Sequence, residues 1–149
     1  MTKADLLQRV EAASRPDRIL DAMIAADLAG LCLHGSWHTE GPDGDRGHVC
    51  DDCGADSWGN LGKQGQRLTD PLPTFTASID AALALVERLL PGAWCVMAKG
   101  RLTAAEPLYG CELLFNHDEQ LGIASGHTQA LAIVAATLRA LIAKEAEHG

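Results

Sequence analysis

Basic residues are scarce in this chain of 149 residues, which has 12 Lys and Arg against 20 Asp and Glu and a formal net charge of -8. Nucleic-acid phosphates are bound by clustered Lys and Arg, so this balance argues against an electrostatic grip on nucleic acid. The chain is 47% hydrophobic and 21% charged, which is too apolar for a wholly disordered protein. A chain of this length buries roughly 70% of its unfolded surface, so we expect a folded core.

Long apolar runs and a basic leader are also lacking. The longest uncharged stretch, residues 120–138, contains two glycines and a histidine. A membrane span needs about 20 mostly apolar residues, so we predict none here. The N-terminus has no basic patch followed by an apolar run and a small-residue cleavage site, so we expect no secretory signal. Together these absences predict a cytoplasmic protein that does not enter a membrane.

The number of cysteines is small, odd and unevenly distributed, with five in the chain. A disulfide framework in a secreted protein is typically built from an even set at regular spacing. Thiols persist in a reducing cytoplasm, where clustered cysteines more often bind a metal ion. The pattern therefore favours metal-bound thiolates.

Hydrophobic periodicity predicts helices at both ends of the chain and short strands between the last two helices. The elements, in chain order, are a helix over 4–13, a helix that starts with Ser14, Pro16 and Asp17 and ends near Gly30, a helix capped by Thr76 or Ser78 and ended by Pro91–Gly92, strands over 93–98, 108–115 and 121–124, and a helix from the cap Thr128 to about Lys144. A turn is predicted at Lys99–Arg101.

This order predicts an α+β fold whose core is α-β-β-β-α, with a three-stranded antiparallel sheet covered by helices as an α-β-α sandwich. We divide the chain into an N-terminal helical segment (1–30), a zinc-knuckle insertion (31–58), a Gly- and Pro-rich linker (59–75) and the core (76–149), within one compact domain. The N-terminal helices pack on this core or on the opposite face of the sheet. A sheet face left open would offer a site for a homodimer.

The segment between Cys32 and Cys53 carries the strongest chemical signal. Its candidate ligands are Cys32, His34, His38, His48, Cys50 and Cys53. The C-x2-C-G pattern of residues 50–54 lets two thiolates face one ion, and its glycine permits the tight turn that follows. Zinc takes four N or S ligands in a tetrahedron, and a site with four protein ligands is structural rather than catalytic. We predict structural Zn²⁺ bound by Cys32, His34, Cys50 and Cys53, with His38 and His48 as alternates.

The alternatives to a metal site are a redox-active C-x2-C pair and a pair without a function. Redox pairs usually lie at a helix start beside a strand. Acidic neighbours such as Asp51 and Asp52 raise thiol pKa values, which disfavours redox chemistry. A zinc site would also order a segment that has almost no aliphatic core.

Aromatic and acidic residues surround the predicted knuckle. Trp37 and Trp58 flank it, where packing against the knuckle is favoured over a partner-binding surface. Residues 32–60 hold six acidic residues and one basic residue, Arg46; the acids are Glu40, Asp43, Asp45, Asp51, Asp52 and Asp56. This balance repels phosphate and suits a basic protein partner. The candidate partner-binding residues are Trp37, Trp58, Asp43, Asp45, Asp51 and Asp52.

No set of nucleophile, base and orienting residue can be identified, so the sequence does not predict an enzyme. The α-β-β-β-α order matches the topology of double-stranded-RNA-binding domains. Those domains contact phosphate through lysines at the start of the last helix, where this chain has His127 and Gln129. Topology alone therefore supports a nucleic-acid function weakly.

Three segments of the chain have a distinctive sequence: residues 14–25 (SRPDRILDAMIA), residues 73–83 (PTFTASIDAAL) and residues 126–141 (GHTQALAIVAATLRAL). Together they resemble the phage ABA-sandwich group of small phage and prophage proteins. Phe75 stands where the group usually has Tyr, and Gln129 where it usually has Pro. The resemblance implies an α-β-α sandwich encoded by a phage or prophage, with no activity or catalytic residue to transfer. The zinc-type segment would be an insertion in that scaffold.

These observations predict a non-enzymatic phage or prophage accessory protein with a zinc-stabilised protein-interaction module. It would inhibit a host defence complex or belong to the virion or its assembly, in the cytoplasm of the bacterial host or on the virion. The alternative is a nucleic-acid-binding module, built on the zinc ribbon or on the double-stranded-RNA-binding topology. An enzyme would require the metal to keep an open coordination position.

Overall fold

Four helices and two antiparallel sheets make up the computed structural model, which describes residues 1–41, 47–101, 107–116 and 118–149. The helices are α1 (Lys3–Ala12), α2 (Arg18–Asp27), α3 (Ile79–Leu89) and α4 (Gln129–His148). The strands are β1 (Trp37–Glu40), β2 (Gly47–Cys50), β3 (Trp94–Arg101), β4 (Pro107–Phe115) and β5 (Glu119–Gly126). Two compact units result: unit 1 comprises residues 1–24 and 73–149, and unit 2 comprises residues 25–72.

Unit 1 contains the predicted α-β-β-β-α core. Its sheet has the strand order β3-β4-β5, and both pairs are antiparallel. Helix α4 packs on β4 and β5, and α1 and α3 pack on α4. Nearly every residue of α4 from Ala130 to Ala140 is buried, which fits a helix that is apolar all round. The α+β fold class is therefore confirmed, with α4 at the centre of the core.

The helix ends follow local capping chemistry. The Thr128 side chain accepts a hydrogen bond from the Leu131 N–H, and the Ser78 side chain accepts one from the Ala81 N–H. The predicted helix start at Ser14 and Pro16 is wrong. Helix α2 begins at Arg18, because the Asp17 carboxylate caps it by accepting hydrogen bonds from the backbone N–H groups of residues 19 and 20.

The predicted turn at residues 99–101 is also wrong, because β3 continues to Arg101 and pairs there with Pro107. In α3, Leu85 is buried, whereas two other apolar residues of the helix, Ile79 and Leu83, are 40% and 38% exposed. Helical periodicity alone does not fix which apolar side chains of a helix face the core. The partly exposed Leu83 side chain lines a groove on the surface of unit 1.

A buried carboxylate joins α2 to the segment that precedes α3. Asp21 is 1% exposed, and its Oδ1 accepts hydrogen bonds from the Thr76 backbone N–H (2.7 Å) and hydroxyl (2.9 Å). The Arg18 guanidinium donates to Asp21 Oδ2 at 3.0 Å. A buried charge is tolerated when it is paired and hydrogen-bonded, as here. Arg18, Asp21 and Thr76 therefore have a structural role.

Unit 2 contains the hairpin β1-β2, which pairs Trp37 with Cys50 and Glu40 with Gly47. Residues 56 and 57 extend it, since the Ser57 N–H donates to the His48 carbonyl and Val49 bridges to Asp56. Residues 59–72, predicted as part of a linker, lie in the same unit as Cys32, Cys50 and Cys53. Among the described helices, none is long and apolar enough to cross a membrane.

Candidate metal centre

The C-x2-C-G turn forms as the sequence predicts. The Gly54 N–H donates to the Cys50 carbonyl at 2.9 Å, and the Cys50 N–H donates to the Ala55 carbonyl at 2.8 Å. Gly54 has φ +78°, a left-handed conformation that glycine adopts without steric cost. Cys50 and Cys53 are each 2% exposed, so the turn holds both thiols inside unit 2.

The other half of the site comes from the chain before β1. His34 has φ +50°, which is uncommon for a residue with a side chain. This backbone conformation accompanies a ring placed with Nδ1 3.5 Å from the Cys53 sulfur. The Cys32 sulfur lies 3.6 Å from the Cys50 sulfur. The two halves therefore meet through two contacts, one between the Cys32 and Cys50 thiols and one between the His34 imidazole and the Cys53 thiol.

Four donor atoms converge in this cluster, one each from Cys32, His34, Cys50 and Cys53, and all lie within 4.8 Å of one another. Zn–S bonds near 2.3 Å and Zn–N bonds near 2.0 Å imply tetrahedron edges of about 3.8 Å between sulfurs and about 3.5 Å between sulfur and nitrogen. The observed 3.6 Å and 3.5 Å separations match those edges. The cluster could therefore hold a metal ion such as zinc.

The thiols of Cys32 and Cys50 differ in how readily they ionise. Burial raises the pKa of the Cys32 thiol to about 11. Burial also opposes ionisation of Cys50, but hydrogen bonds from His34 and from the backbone of Cys53 and Asp52 outweigh it and lower that pKa to about 6. A cation at the centre would favour the thiolate form of every cysteine, because thiolates are the form that binds metal.

The two ring nitrogens of His34 have different surroundings. Its Nε2 is buried and has no hydrogen-bond partner within the described ranges. An unpaired buried ring nitrogen is costly, and a metal-bound His usually donates its other N–H to a nearby acceptor. The His34 ring therefore has Nδ1 near the Cys53 thiol and a buried Nε2 that has no hydrogen-bond partner within the described residues.

The two alternate histidines lie on the hairpin, apart from this cluster. His38 is exposed and contacts two carboxylates, Asp51 through Nδ1 at 2.5 Å and Glu40 through Nε2 at 2.8 Å. His48 packs edge-on against Trp37, with ring centroids 4.4 Å apart and planes at 71°. Neither belongs to the group of four converging donors.

Both tryptophans of unit 2 pack against the hairpin and still expose about half of their surface, 55% for Trp37 and 50% for Trp58. A Cβ placed on Gly47 would lie 2.2 Å from the Trp58 ring, so the ring lies directly on this glycine. The Asp56 carboxylate holds the Trp58 turn by accepting from the backbone N–H of Trp58 and Asn60. Each of the two tryptophans therefore packs one part of its ring against unit 2 and exposes the rest to solvent.

The acidic candidates are placed as follows. Asp51 and Asp52 are exposed beside the knuckle. The Asp51 carboxylate accepts from the Ser36 hydroxyl at 2.5 Å as well as contacting His38. Asp43 and Asp45 lie outside the described residues.

Residues 62–66 support the cluster from behind, a role that the sequence analysis did not assign. The Lys63 N–H donates to the Cys53 carbonyl at 2.9 Å, and the Cys32 N–H donates to the Gln66 side chain at 2.7 Å. A Cβ on Gly62 would lie 2.5 Å from the Cys53 sulfur. The only available sequence signal is the glycine itself, since no spacing rule links it to Cys53.

We expect Gly62→Ala to lower zinc affinity by about tenfold or more, because the added methyl displaces the Cys53 sulfur and changes to a metal's supporting shell cost about 10- to 100-fold. Competition with a chromogenic chelator measures the change. Gly35→Ala is the matched control, since its Cβ meets nothing within 4 Å. Equal affinities for the two variants would contradict the assigned contact.

The His38 contacts predict a titration. Hydrogen bonds with Glu40 and Asp51 raise the pKa of His38 above its ordinary 6.5. Hydrogen bonds from Ser36 and His38 lower the pKa of Asp51 below 3.8. The contribution of protonated His38 to the free energy of unfolding is complete below pH 6.5, and it is lost as pH rises through the raised pKa of His38. The Asp51 contribution is present above pH 3.8 and is lost as pH falls through its lowered pKa, so the pair is strongest between these values.

An NMR titration of the His38 ring measures this effect. Glu40→Gln and Asp51→Asn should each bring the pKa of His38 back towards 6.5, because each removes one stabilising carboxylate. Asp52→Asn is the control, since that exposed carboxylate is not among the causes of the His38 shift. A His38 pKa that is the same in all three variants would contradict the contacts.

Comparison with protein-family models, with curated proteins and with solved structures finds no match to this chain.

Proposed function

We propose that the chain is a protein-interaction module stabilised by a structural zinc ion in unit 2. The convergence of three thiols and one imidazole within 4.8 Å carries this proposal. A catalytic zinc site typically has three protein ligands and leaves the fourth position to water or substrate. Here the fourth donor also comes from the protein and would fill that position when a metal is bound, which supports a structural role and a non-enzymatic protein.

Elemental analysis of protein purified without a histidine tag tests the metal assignment. We expect about one zinc per chain, with loss in both Cys32→Ser and Cys50→Ser. Cobalt substitution then reports the ligand set, because a closed Cys3His site gives the spectrum of four protein ligands. A cobalt spectrum with bound water would instead support an enzyme-type site, and a metal-free wild-type protein would overturn the assignment.

The hairpin surface of unit 2 supports the interaction role. Trp37 and Trp58 are held in place by His48 and Gly47, yet each exposes about half of its surface. Exposed aromatic side chains with fixed positions are common anchors of protein interfaces. The exposed carboxylates beside them favour a basic protein over nucleic acid as the partner.

The phage or prophage origin is a further part of the proposal, and it rests on the three segments that resemble the phage ABA-sandwich group. An accessory protein of this kind would bind a phage or host protein, either to inhibit a defence complex in the host cytoplasm or to take part in virion assembly. Its presence in purified virions would support the assembly role, whereas a host complex bound during infection would support inhibition.

Affinity capture with quantitative mass spectrometry tests the interaction surface. We expect Trp37→Ala and Trp58→Ala to lose a protein partner that the wild type retains, at unchanged zinc content. Trp94→Ala is the matched control, because Trp94 is also 55% exposed but lies in unit 1. Recovery of nucleic acid alone, weakening steeply with salt, would favour the alternative of a nucleic-acid-binding module and contradict the proposal.

A further inference from the structure

A second pair of cysteines lies in unit 1, on neighbouring strands of the three-stranded sheet. The register pairs Cys95 of β3 with Leu113 and Met97 with Cys111 of β4. Cys95 and Cys111 are thus diagonal neighbours on one face, a relationship in which longer side chains can still touch. Their sulfur atoms are 3.3 Å apart. Each thiol is within direct reach of the other.

The two thiols differ in access to solvent. Cys111 is 1% exposed in the central strand, whereas Cys95 is partly exposed in the edge strand. Cys95 lines an open groove between α3 and β3. The other residues that line this groove are Leu83, Val86, Glu87, Gly92, Ala93 and Trp94. A small molecule in the groove reaches Cys95 first, and Cys111 lies behind it.

We propose that Cys95 and Cys111 form a reversible dithiol–disulfide switch, which a small-molecule disulfide entering the groove oxidises through Cys95. The proposal goes beyond the interaction role of unit 2 and uses none of the metal ligands. The hydrogen bond between the thiols lowers the pKa of Cys95 and raises that of Cys111, so the exposed thiol is the one that ionises first. The thiolate is the nucleophile in such exchange.

The reaction proceeds in two balanced steps. The Cys95 thiolate attacks one sulfur of the small disulfide RSSR, which forms a Cys95–S–SR bond and releases RS⁻ to take up a proton. Cys111 then loses its proton and attacks the Cys95 sulfur, which forms the Cys95–Cys111 bond and releases the second thiol. Two electrons pass from the protein thiols to the small disulfide, and the products are one protein disulfide and two RSH.

The distance fits this chemistry. A disulfide bond is about 2.0 Å long, so the two sulfurs need to approach by about 1.3 Å from their present separation. Cys95 is in the edge strand β3, and its side chain lines the open groove rather than the closed core. The bond would cross-link β3 to β4 within the sheet. Small thiols would reverse it by the same exchange.

The experiment uses the zinc-loaded full chain and a neutral probe, 2-hydroxyethyl disulfide. After alkylation of free thiols, mass spectrometry of the intact protein and its peptides identifies the bonds. We expect the loss of two hydrogen atoms, a link between the peptides that contain Cys95 and Cys111, and an unchanged zinc content. Addition of a small thiol should restore the dithiol form.

Two variants separate the steps. Cys111→Ala should stop at a mixed disulfide on Cys95, and Cys95→Ala should react at Cys111 at least about tenfold more slowly. The wild-type peptide map needs no variant, so it remains decisive even if a variant at the buried Cys111 fails to fold. A persistent mixed disulfide in the wild type, or links confined to Cys32, Cys50 and Cys53, would overturn the proposal.

Discussion

Removal of zinc by a chelator is expected to unfold the part of unit 2 that follows α2 and to leave unit 1 folded. The ion would hold the two halves of the cluster together, and structural zinc contributes on the order of 10 kcal/mol to the folding of small domains. The described core cluster of unit 2 is small and consists mainly of Cys50, Cys53 and Ala55, with Cys32 and Leu68 beside it. Without the metal, little apolar burial remains to offset the ordering of this segment.

Hydrogen exchange followed residue by residue measures this result. The backbone N–H groups of Cys50, Gly54 and Lys63, which are hydrogen-bonded in unit 2, should lose protection by several orders of magnitude after chelation. Those of α4 should keep theirs. Cys50→Ser should reproduce the effect, and Cys95→Ser is the matched control outside the cluster. Unchanged protection in unit 2 after complete zinc removal would contradict the structural role.

Gly122→Ala is expected to destabilise unit 1 by about 2–3 kcal/mol or more, since overpacking of a well-packed core commonly costs about 1–3 kcal/mol. A Cβ on Gly122 would lie 2.3 Å from the Ala136 carbonyl oxygen and 2.8 Å from the Ala140 nitrogen. Both are backbone atoms of α4, so no side-chain rotation relieves the contact. The central helix must move away from β5.

Denaturant unfolding, monitored on α4, measures the change in free energy. Gly110→Ala is the control in the same sheet, because its Cβ would lie 4.0 Å from the Ala98 side chain, an ordinary contact. Its cost should be below about 1 kcal/mol, in the range of substitutions that create no close contact. Equal losses in the free energy of unfolding for the two variants would show that the close approach of α4 to Gly122 does not determine the cost of the added methyl group.

The ligand cluster was accessible to sequence reasoning because its chemistry is local. The spacing of Cys50 and Cys53, with Gly54 behind them, describes a single turn, and Cys32 and His34 supply a second short motif. The same reasoning missed the hairpin β1-β2. Its strands are four residues long, and β1 is exposed throughout, so no apolar alternation marks them.

Two other features depend on contacts between distant parts of the chain. The support that Gly62 and Gln66 give to the cysteines comes from one close contact and one side-chain hydrogen bond to the backbone. The approach of Cys95 to Cys111 follows from the register of β3 on β4. Neither strand alone contains that register, so the sequence alone does not predict this contact.

The hydrogen bonds between Asp21 and Thr76 have a consequence for the topology of the chain. They fix two points of unit 1 next to each other, one shortly before residue 25 and one shortly after residue 72. The intervening residues are therefore a loop whose ends are already closed by the scaffold. The entropy of closing a loop grows only with the logarithm of its length. Shortening, lengthening or replacing this excursion should change the stability of unit 1 little, so the position is a natural point for grafting another small domain.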